Sequence, residues 1–176
     1  MIRIFDVIFS LLGLVFGLPV LVIISVLGLF DTGYPIFRQE RVGRYMQTFT
    51  LVKFRTMSKD TPSVASHLAS SSSITPLGSF LRKTKLDEVP QLWNVLKGEM
   101  SLVGPRPNLF NQKELINLRN ELGVYDVRPG ITGLAQIKDI DMSMPELLAE
   151  TDAEMISTMS VANYFKYIFL TFAGKV

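Results

Sequence analysis

The stretch that decides the fold is IFDVIFSLLGLVFGLPVLVIISVLGLF, residues Ile4–Phe30. Its polar residues are Asp6, Ser10 and Ser25, and the remainder is apolar or glycine. An apolar stretch of this length is typical of a membrane helix. A secretory signal peptide would have a shorter apolar region followed by a cleavage site with small residues, whereas DTGY (31–34) follows here. The stretch therefore predicts a membrane-embedded helix.

Pro19 lies in the middle of this stretch. Proline removes a backbone donor and clashes with the preceding turn, so we expect the helix to bend there. Each arm would then be about 22 Å long, which is shorter than the hydrocarbon core of about 30 Å. Two topologies compete at this point, a re-entrant helix that returns to the face it entered and a kinked helix that spans the bilayer.

Charges flank the apolar stretch on both sides. Asp6 is costly in lipid unless it is paired, and Arg3, one turn earlier, is the expected partner. Downstream, the region 38–59 contains the single acid Glu40 and an excess of bases: Arg38, Arg41, Arg44, Lys53, Arg55 and Lys59. This excess predicts that the main domain lies on the cytoplasmic side, close to anionic headgroups. The net charge of +2 gives no expectation of nucleic-acid binding.

The composition excludes several kinds of chemistry. The chain has no cysteine and one histidine, so it contains no disulfide, no cysteine nucleophile and no His-rich zinc site. A Ser-His-Asp triad would depend on His67, which lies in a serine-rich segment and is a poor candidate.

After the membrane helix, the pattern predicts a hairpin and then mainly helices. β-prone residues flank the turn residue Gly43 in the segment 35–57. The segment 58–73 is rich in Ser, Thr, Asp and Ala and predicts either a mobile lid or a plain linker. Helices are expected at 75–81, 87–98, 111–122 and 145–171.

The predicted fold class is α+β and helix-dominated. A re-entrant, Pro-broken membrane helix (1–33) would precede one cytoplasmic catalytic domain (34–176), which contains a small β-hairpin and amphipathic interfacial helices.

The adjacent carboxylates Asp87 and Glu88 are the first candidates for chemistry. Acids at a helix start usually cap the helix, and Asp87 has the position of an N-cap. Three features nearby favour a phosphate site instead. Arg82 lies five residues upstream, Arg106 and Arg128 are held in proline-containing turns, and Gly130 and Gly133 would let backbone amides approach an anion. Carboxylates, arginines and glycine turns together are what phosphoryl transfer requires.

The spacing of the two acids also narrows the class of enzyme. Glycosidases place two carboxyl groups on opposite sides of a sugar, whereas neighbouring residues project from one end of a helix. Such neighbours suit one carboxylate that attacks phosphorus and one that helps to hold Mg²⁺.

Four motifs resemble the bacterial sugar transferases, and more closely the monotopic polyprenyl-phosphate phosphoglycosyl transferases. They are KFRTM (53–57), LDEVPQLWNVLKG (86–98), MSLVGPRP (100–107) and VRPGITGLAQ (127–136). The likeness runs from about Arg3 to near the carboxyl terminus.

The resemblance implies transfer of a phosphosugar from a UDP-sugar to undecaprenyl phosphate, with release of UMP, by a covalent ping-pong route with Mg²⁺. It implies that Asp87 is the nucleophile on the β-phosphate and that Glu88 supports metal binding or proton handling, so that Asp87 and Glu88 are the expected metal ligands. The remaining roles carried over by motif are phosphate contacts for Lys53, Arg55 and Arg82, nucleotide contacts for Arg106 and Arg128, and a position near the active site for Asp152.

The resemblance also bears on topology. The family's membrane helix is re-entrant and is broken at a Ser-Pro pair, whereas this chain has Leu18-Pro19 and lacks that serine hydroxyl. We expect the small, minimal catalytic form of the family, in the bacterial inner membrane with its catalytic domain on the cytoplasmic face.

Two other functions use the same residues. A phosphatase or pyrophosphatase acting on polyprenyl phosphates would pass the group to water, and a non-catalytic scaffold would only bind anionic lipid. The sequence does not name the sugar or the glycan pathway, and it leaves open whether the chain forms a homo-oligomer. The segment 58–73 and the residues after Gln136 are where we expect sugar specificity.

Overall fold

The computed structural model describes residues 1–59, 61 and 73–173. The proposed lid or linker at 58–73 therefore lies mostly outside the described residues, as does His67.

The described residues form seven helices and four short strands. The helices are α1 (Ile2–Asp31), α2 (Pro76–Thr84), α3 (Gln91–Lys97), α4 (Lys113–Glu121), α5 (Leu134–Ile137), α6 (Pro145–Ser157) and α7 (Val161–Phe172), and the strands are β1 (Ile36–Val42), β2 (Thr48–Phe54), β3 (Ser101–Val103) and β4 (Gly130–Thr132). The helix-dominated α+β class is confirmed. The predicted hairpin is also confirmed, since β1 and β2 pair antiparallel from Ile36 opposite Phe54 to Val42 opposite Thr48.

The second sheet was not predicted from the sequence. β3 and β4 are three residues each and pair in parallel, Ser101 with Gly130 and Val103 with Thr132. Each strand lies in one of the turn-rich motifs, where the glycines and prolines indicated loops. The pairing places the two motifs side by side.

The hairpin is attached to the helices through apolar packing and one buried amide. Phe49 and Leu51 of β2 pack against Val95 of α3. Asn94, which is fully buried, accepts a hydrogen bond from the Val52 amide (3.1 Å) and donates one to a β2 carbonyl (2.7 Å). A buried amide with satisfied partners specifies a register, so Asn94 fixes the position of β2 relative to the turn that precedes α3.

One face of α1 contacts the rest of the chain along the length of the helix. Its buried residues are Asp6, Ser10, Ile24 and Gly28. Two glycines permit close approach, because a β-carbon at Gly13 would lie 2.7 Å from Leu92 and one at Gly28 would lie 2.8 Å from Pro35. These positions are separated by three, four or eleven residues, that is by about one or three helical turns, and therefore share one side of the helix. The other faces are apolar and exposed.

α1 is a single helix that continues through Pro19. The predicted break does not end the helix, so the two arms belong to one element, and contacts with the domain occur on both sides of the proline. The helix is long and apolar enough to cross a membrane. The re-entrant topology and the domain boundary at 33/34 stay predictions at this point.

The amino-terminal end of α1 is held by a buried carboxylate. Asp6 accepts hydrogen bonds from the Ser101 hydroxyl, the Leu102 amide and the Tyr164 hydroxyl, each at 2.9 Å. The predicted pairing of Asp6 with Arg3 is confirmed, with 3.8 Å between their nearest charged atoms. The acid that is costly in an apolar helix therefore connects that helix to β3 and α7.

We expect Asp6→Ala to destabilise the protein by about 3–5 kcal/mol, because it would leave buried donors without an acceptor. Asp31→Ala is the matched control, since Asp31 is an exposed carboxylate at the other end of α1 and should cost less than about 1 kcal/mol. Thermal unfolding in detergent, followed by the fluorescence of the single tryptophan, measures both changes. Equal losses of stability in the two variants would contradict this role of Asp6.

Candidate active site

The two candidate carboxylates lie in a 3₁₀ turn, Leu86–Glu88, between α2 and α3. Lys85 precedes the turn in a left-handed conformation (φ 57°) and so ends α2. The prediction that Asp87 caps a helix beginning at 87 is wrong: α3 begins at Gln91, and its N-cap position is occupied by Pro90, with no side-chain cap. The carboxylate of Asp87 therefore does not cap the N-terminus of α3.

Asp87 is a buried acid in an electrostatically mixed environment. Its residue surface is 7% exposed. The pKa of Asp87 is raised from 3.8 to about 6, first by burial and second by the neighbouring charge of Glu88, while Lys53, Arg106 and Arg82 act in the opposite direction. The raised pKa means that burial and Glu88 outweigh the three cations. Near neutral pH the side chain is mainly a carboxylate that water solvates poorly.

Glu88 differs from Asp87 because it has a dedicated partner. Its Oε1 accepts a hydrogen bond from Arg106 Nη2 at 2.8 Å, in an ion pair whose side chains are 17% and 43% exposed. The charge of Glu88 is the main reason why the pKa of Arg106 is raised. The prolines on both sides of Arg106 restrict its backbone as the sequence indicated. The structure thus gives the two acids different environments.

Lys53 brings a second cation to the site from β2. Burial and the nearby Arg106 lower the pKa of Lys53 from 10.5 to about 8, while Asp87 and Glu88 act to raise it. A desolvated ammonium close to two carboxylates suits a ligand with further negative charge.

The other predicted basic residues differ in where they lie. Arg82 donates from Nε to the Thr56 hydroxyl (2.9 Å) and is close enough to stabilise the charge of Asp87. Arg55 donates to the carbonyl of Tyr34 (3.1 Å), and Arg128 donates to that of Gly98 at the end of α3 (2.8 Å). The described structure therefore gathers Lys53, Arg82 and Arg106 around Asp87. Phosphate contacts for Arg55 and nucleotide contacts for Arg128 stay predictions.

The glycines of the turn motifs have another role than the one predicted. The amide of Gly130 donates to Pro105 O (2.9 Å) and so is not directed at an anion. A β-carbon at Gly130 would lie 2.0 Å from the amide nitrogen of Gly104, and one at Gly133 would lie 2.6 Å from the Gly104 carbonyl oxygen. These glycines permit close contact between two backbone segments, and this contact positions the turn that carries Arg106.

Asp152, which was expected near the active site, is buried behind it, and a role in holding the phosphate or nucleotide stays a prediction. The residue is 0% exposed, and its Oδ2 accepts a hydrogen bond from Arg119 Nη2 at 2.6 Å. Arg119, which the sequence analysis did not single out, also donates to the carbonyl of Arg106 and to Asn108 Oδ1, both at 2.9 Å. A buried carboxylate of this kind acts through its partner, so Asp152 supports the Arg106 turn from behind.

A cavity of about 320 Å³ adjoins this charge cluster. Lys53 and Arg106 line it together with Arg41, Gln91 and Gln136, which sequence reasoning did not assign to the site, and with Asp139 and Asp141 from the loop after α5. The residues after Gln136, where we expected specificity, thus reach the same cavity as the cations. Arg41 of β1 and Gln136 of α5 can be assigned to one cavity only from the folded structure, because no motif spacing in the sequence connects β1 to α5.

A metal site made by protein side chains alone is not present in the described residues. They contain no group of three or more His, Asp or Glu side chains that could hold an ion. A divalent cation at Asp87 and Glu88 would need further oxygen ligands from a substrate, which is how Mg²⁺ commonly binds with phosphates.

A carboxylate pair surrounded by cations, on a chain with an apolar helix, is typical of membrane-associated enzymes that transfer phosphoryl groups. The whole chain, residues 1–176, matches the family model described as bacterial sugar transferase. The chain therefore belongs to the bacterial sugar transferase family.

Individual relatives are identical to this chain at about a third of the aligned positions. A UDP-galactose-lipid carrier transferase of Erwinia amylovora is 35% identical over 96% of this chain and 39% of that protein. An undecaprenyl-phosphate galactose phosphotransferase of Salmonella typhimurium is 36% identical over 79% of this chain and 33% of that protein. A UDP-glucose:undecaprenyl-phosphate glucose-1-phosphate transferase of Caulobacter vibrioides is 34% identical over 96% of this chain and 67% of that protein. The chain thus spans less than half the length of the first two relatives.

We expect Asp87→Asn to stabilise the protein at pH 7.5 by up to about 3 kcal/mol, at ~1.4 kcal/mol per pKa unit. The pKa of Asp87 is raised from 3.8 to about 6 on folding, so its ionisation costs stability in full above pH 6 and not at all below about pH 4. The melting temperature of the variant should therefore exceed that of the wild type at pH 7.5 and match it near pH 4. Glu88→Gln is the matched control and should be destabilising, because it weakens the pair with Arg106. A melting temperature for Asp87→Asn below that of the wild type at pH 7.5 would contradict this assignment.

Proposed function

We propose that this protein transfers a sugar 1-phosphate from a UDP-sugar to undecaprenyl phosphate and releases UMP. The lipid product, a polyprenyl-diphosphate-sugar, would start the assembly of a glycoconjugate at the cytoplasmic membrane. The observation that carries the proposal is the buried Asp87 carboxylate, which caps no helix and lies among Lys53, Arg82 and Arg106. The names of the relatives support the same donor and acceptor classes.

In the first half-reaction, a carboxylate oxygen of Asp87 attacks the β-phosphorus of the UDP-sugar. A bond forms between that oxygen and phosphorus, the bond from phosphorus to the bridging oxygen breaks, and UMP leaves with the bridging oxygen and its electron pair. The cations around Asp87 stabilise the charge on the phosphoryl oxygens. Because Asp87 is poorly solvated, little water must be removed from the nucleophile before it attacks.

In the second half-reaction, a phosphate oxygen of undecaprenyl phosphate attacks the phosphorus held on Asp87. The acyl phosphate bond breaks, and Asp87 is regenerated as a carboxylate. Glu88 and Arg106 keep their hydrogen-bonded pair beside the reacting phosphorus, which orients the guanidinium toward the phosphoryl oxygens.

We further propose that Asp87 and Glu88 hold Mg²⁺ together with the diphosphate of the donor. The two adjacent carboxylates fit this use, since the hydrogen bond from Arg106 to Glu88 is made to Oε1. When bound, the ion would neutralise phosphate charge and assist departure of UMP.

We also propose a re-entrant position for α1, with both ends on the cytoplasmic face. The helix is about 45 Å long at ~1.5 Å per residue. Near its start, Asp6 is bonded to β3 and α7, and near its end Ile24 packs with Phe54 and Leu81. A helix that leaves the domain to cross a bilayer would lose one of these sets of contacts, so their coexistence supports a helix that stays on one side. Exposed aromatic residues on other helices, including Trp93 and Phe169, extend the apolar surface that would contact lipid.

A reaction assay tests the proposed function. The purified protein is incubated with undecaprenyl phosphate, Mg²⁺ and a panel of UDP-sugars, and UMP, lipid-linked product and inorganic phosphate are measured. We expect UMP and a lipid-linked sugar diphosphate with at least one sugar, and a loss of at least about 1,000-fold in Asp87→Asn because the nucleophile is removed. Release of inorganic phosphate without lipid-linked sugar would indicate a phosphatase, and no turnover with any UDP-sugar would favour a scaffold.

The covalent route has its own test. Without acceptor lipid, the wild type should exchange labelled UMP into the UDP-sugar, since the first half-reaction is reversible on the enzyme, and Asp87→Asn should not. We expect the exchange rate to decrease as the pH is lowered through the pKa of Asp87, which is about 6, because protonated Asp87 does not attack. Full transferase activity without any exchange would show direct transfer between the two substrates.

Cysteine labelling tests the topology. The native chain has no cysteine, so a cysteine inserted after Met1 and one at Ser58 can be compared without interference. Both positions are exposed, and we expect an impermeant maleimide to label both from the cytoplasmic side in inverted vesicles. Labelling of the two sites from opposite sides would show that α1 spans the membrane.

A further inference from the structure

One arginine that no motif singled out is buried beside the cavity with part of its guanidinium unpartnered. Arg41, on β1, is 7% exposed. Its Nη1 donates to the carbonyl of Pro107 (3.2 Å) and its Nη2 donates to Gln39 Oε1, while its Nε has no hydrogen-bond partner. Both of these hydrogen bonds are therefore made to neutral acceptors, and the cavity that Arg41 lines also contains Asp139 and Asp141.

The surroundings make this charge more costly. Burial and the like charge of Arg106 lower the pKa of Arg41 from 12.5 to about 10. A buried cation beside other cations is unfavourable unless an anion completes the group. The fold keeps Arg41 in this position although a neutral side chain there would be less costly, and this is the pattern expected where a ligand supplies the missing negative charge.

The cavity beside Arg41 is built for a polar ligand. Arg41, Lys53 and Arg106 all line it, and so does Gln136, whose Oε1 and Nε2 are both buried without a hydrogen-bond partner. No residue of α1 is among those that line the cavity. A water-soluble ligand fits such a space better than a lipid tail does.

The cations differ in whether they interact electrostatically with Asp87. Asp87 interacts with Lys53, Arg106 and Arg82, whereas Arg41 interacts with Arg106 and Lys53. A phosphorus attacked by Asp87 would lie beside Lys53 and Arg106, and a second phosphate in the cavity would meet Arg41.

We propose that Arg41 is the anchor for the α-phosphate of the donor nucleotide and holds the same phosphate when UMP departs. The inference rests on the proposed function for the identity of the donor. The cavity would then contain a second phosphate-binding position, separate from the position of the phosphorus that reacts with Asp87.

Nucleotide binding tests the assignment directly. UMP, uridine and inorganic phosphate are titrated by calorimetry into the purified full chain and into Arg41→Gln and Arg41→Lys. We expect Arg41→Gln to weaken UMP binding by about 10- to 100-fold, the loss typical of one charge-assisted contact, and to leave uridine binding unchanged. Arg41→Lys keeps the charge and should lose less. Arg38→Gln is the matched control, since it removes the same charge from an exposed position on the same strand and should bind UMP as the wild type does.

The binding result has two outcomes that overturn the assignment. Unchanged UMP affinity in Arg41→Gln would do so, and so would an equal loss for UMP and uridine, which would indicate damage to the whole pocket. Should Arg41→Gln fail to fold, Arg41→Lys answers the question through the ratio of UMP to uridine affinity, which falls if Arg41 holds the phosphate and stays constant if it does not.

Steady-state kinetics separate the donor side from the acceptor side. In a ping-pong reaction, a residue that contacts only the donor changes kcat/KM for the UDP-sugar and leaves kcat/KM for undecaprenyl phosphate unchanged. We expect this pattern in Arg41→Gln, and a loss confined to the lipid acceptor would overturn the assignment. If the wild type binds UMP through Arg41 but forms no lipid-linked sugar, the proposed function fails while the phosphate anchor stands.

Discussion

The structure depends on one electrostatic constraint, which is that a carboxylate must stay charged with little help from water. Burial and Glu88 oppose the ionisation of Asp87, and Lys53, Arg82 and Arg106 recover only part of the cost. The cations cannot simply neutralise the acid, because they have to remain available to phosphate oxygens. The site is therefore left with unfavourable energy that the rest of the fold offsets.

The framework around the site consists of buried polar contacts rather than apolar packing alone. Asn94 joins α3 to β2 and so places Lys53 beside the carboxylate turn. The Arg119–Asp152 pair supports the Arg106 turn from the core. Each such contact is directional, and a buried group that loses its partner is costly. These contacts hold Lys53 and Arg106 close together despite their mutual repulsion, which apolar packing alone would not do.

Much of the architecture could be predicted, and the errors have physical reasons. The apolar helix, the hairpin and the helix-dominated class follow from hydrophobic pattern and turn residues, and all are confirmed. Asp87 was expected to cap a helix, because an acid before an apolar run usually does so, but α3 begins at Gln91 with Pro90 at its N-cap position, so the carboxylate caps no helix. Gly130 was expected to present its amide to an anion, yet that amide donates to the carbonyl of Pro105. Asp152 was expected near the active site from its position in the motif, but its side chain is buried in the core.

By itself, the sequence determined the class of protein. The deciding features are local patterns: a long apolar helix, adjacent carboxylates at 87 and 88, and arginines in rigid turns. Local patterns can be read from neighbouring residues. Only the tertiary structure decided which polar side chains line the cavity next to those carboxylates. Arg41, Lys53, Arg106 and Gln136 come from distant parts of the chain, and whether a side chain is buried, paired or directed into a cavity depends on what the fold places next to it. The charge of a residue is encoded in its identity, but the pKa and accessibility of that charge arise from desolvation and neighbouring charges, which exist only in the folded molecule.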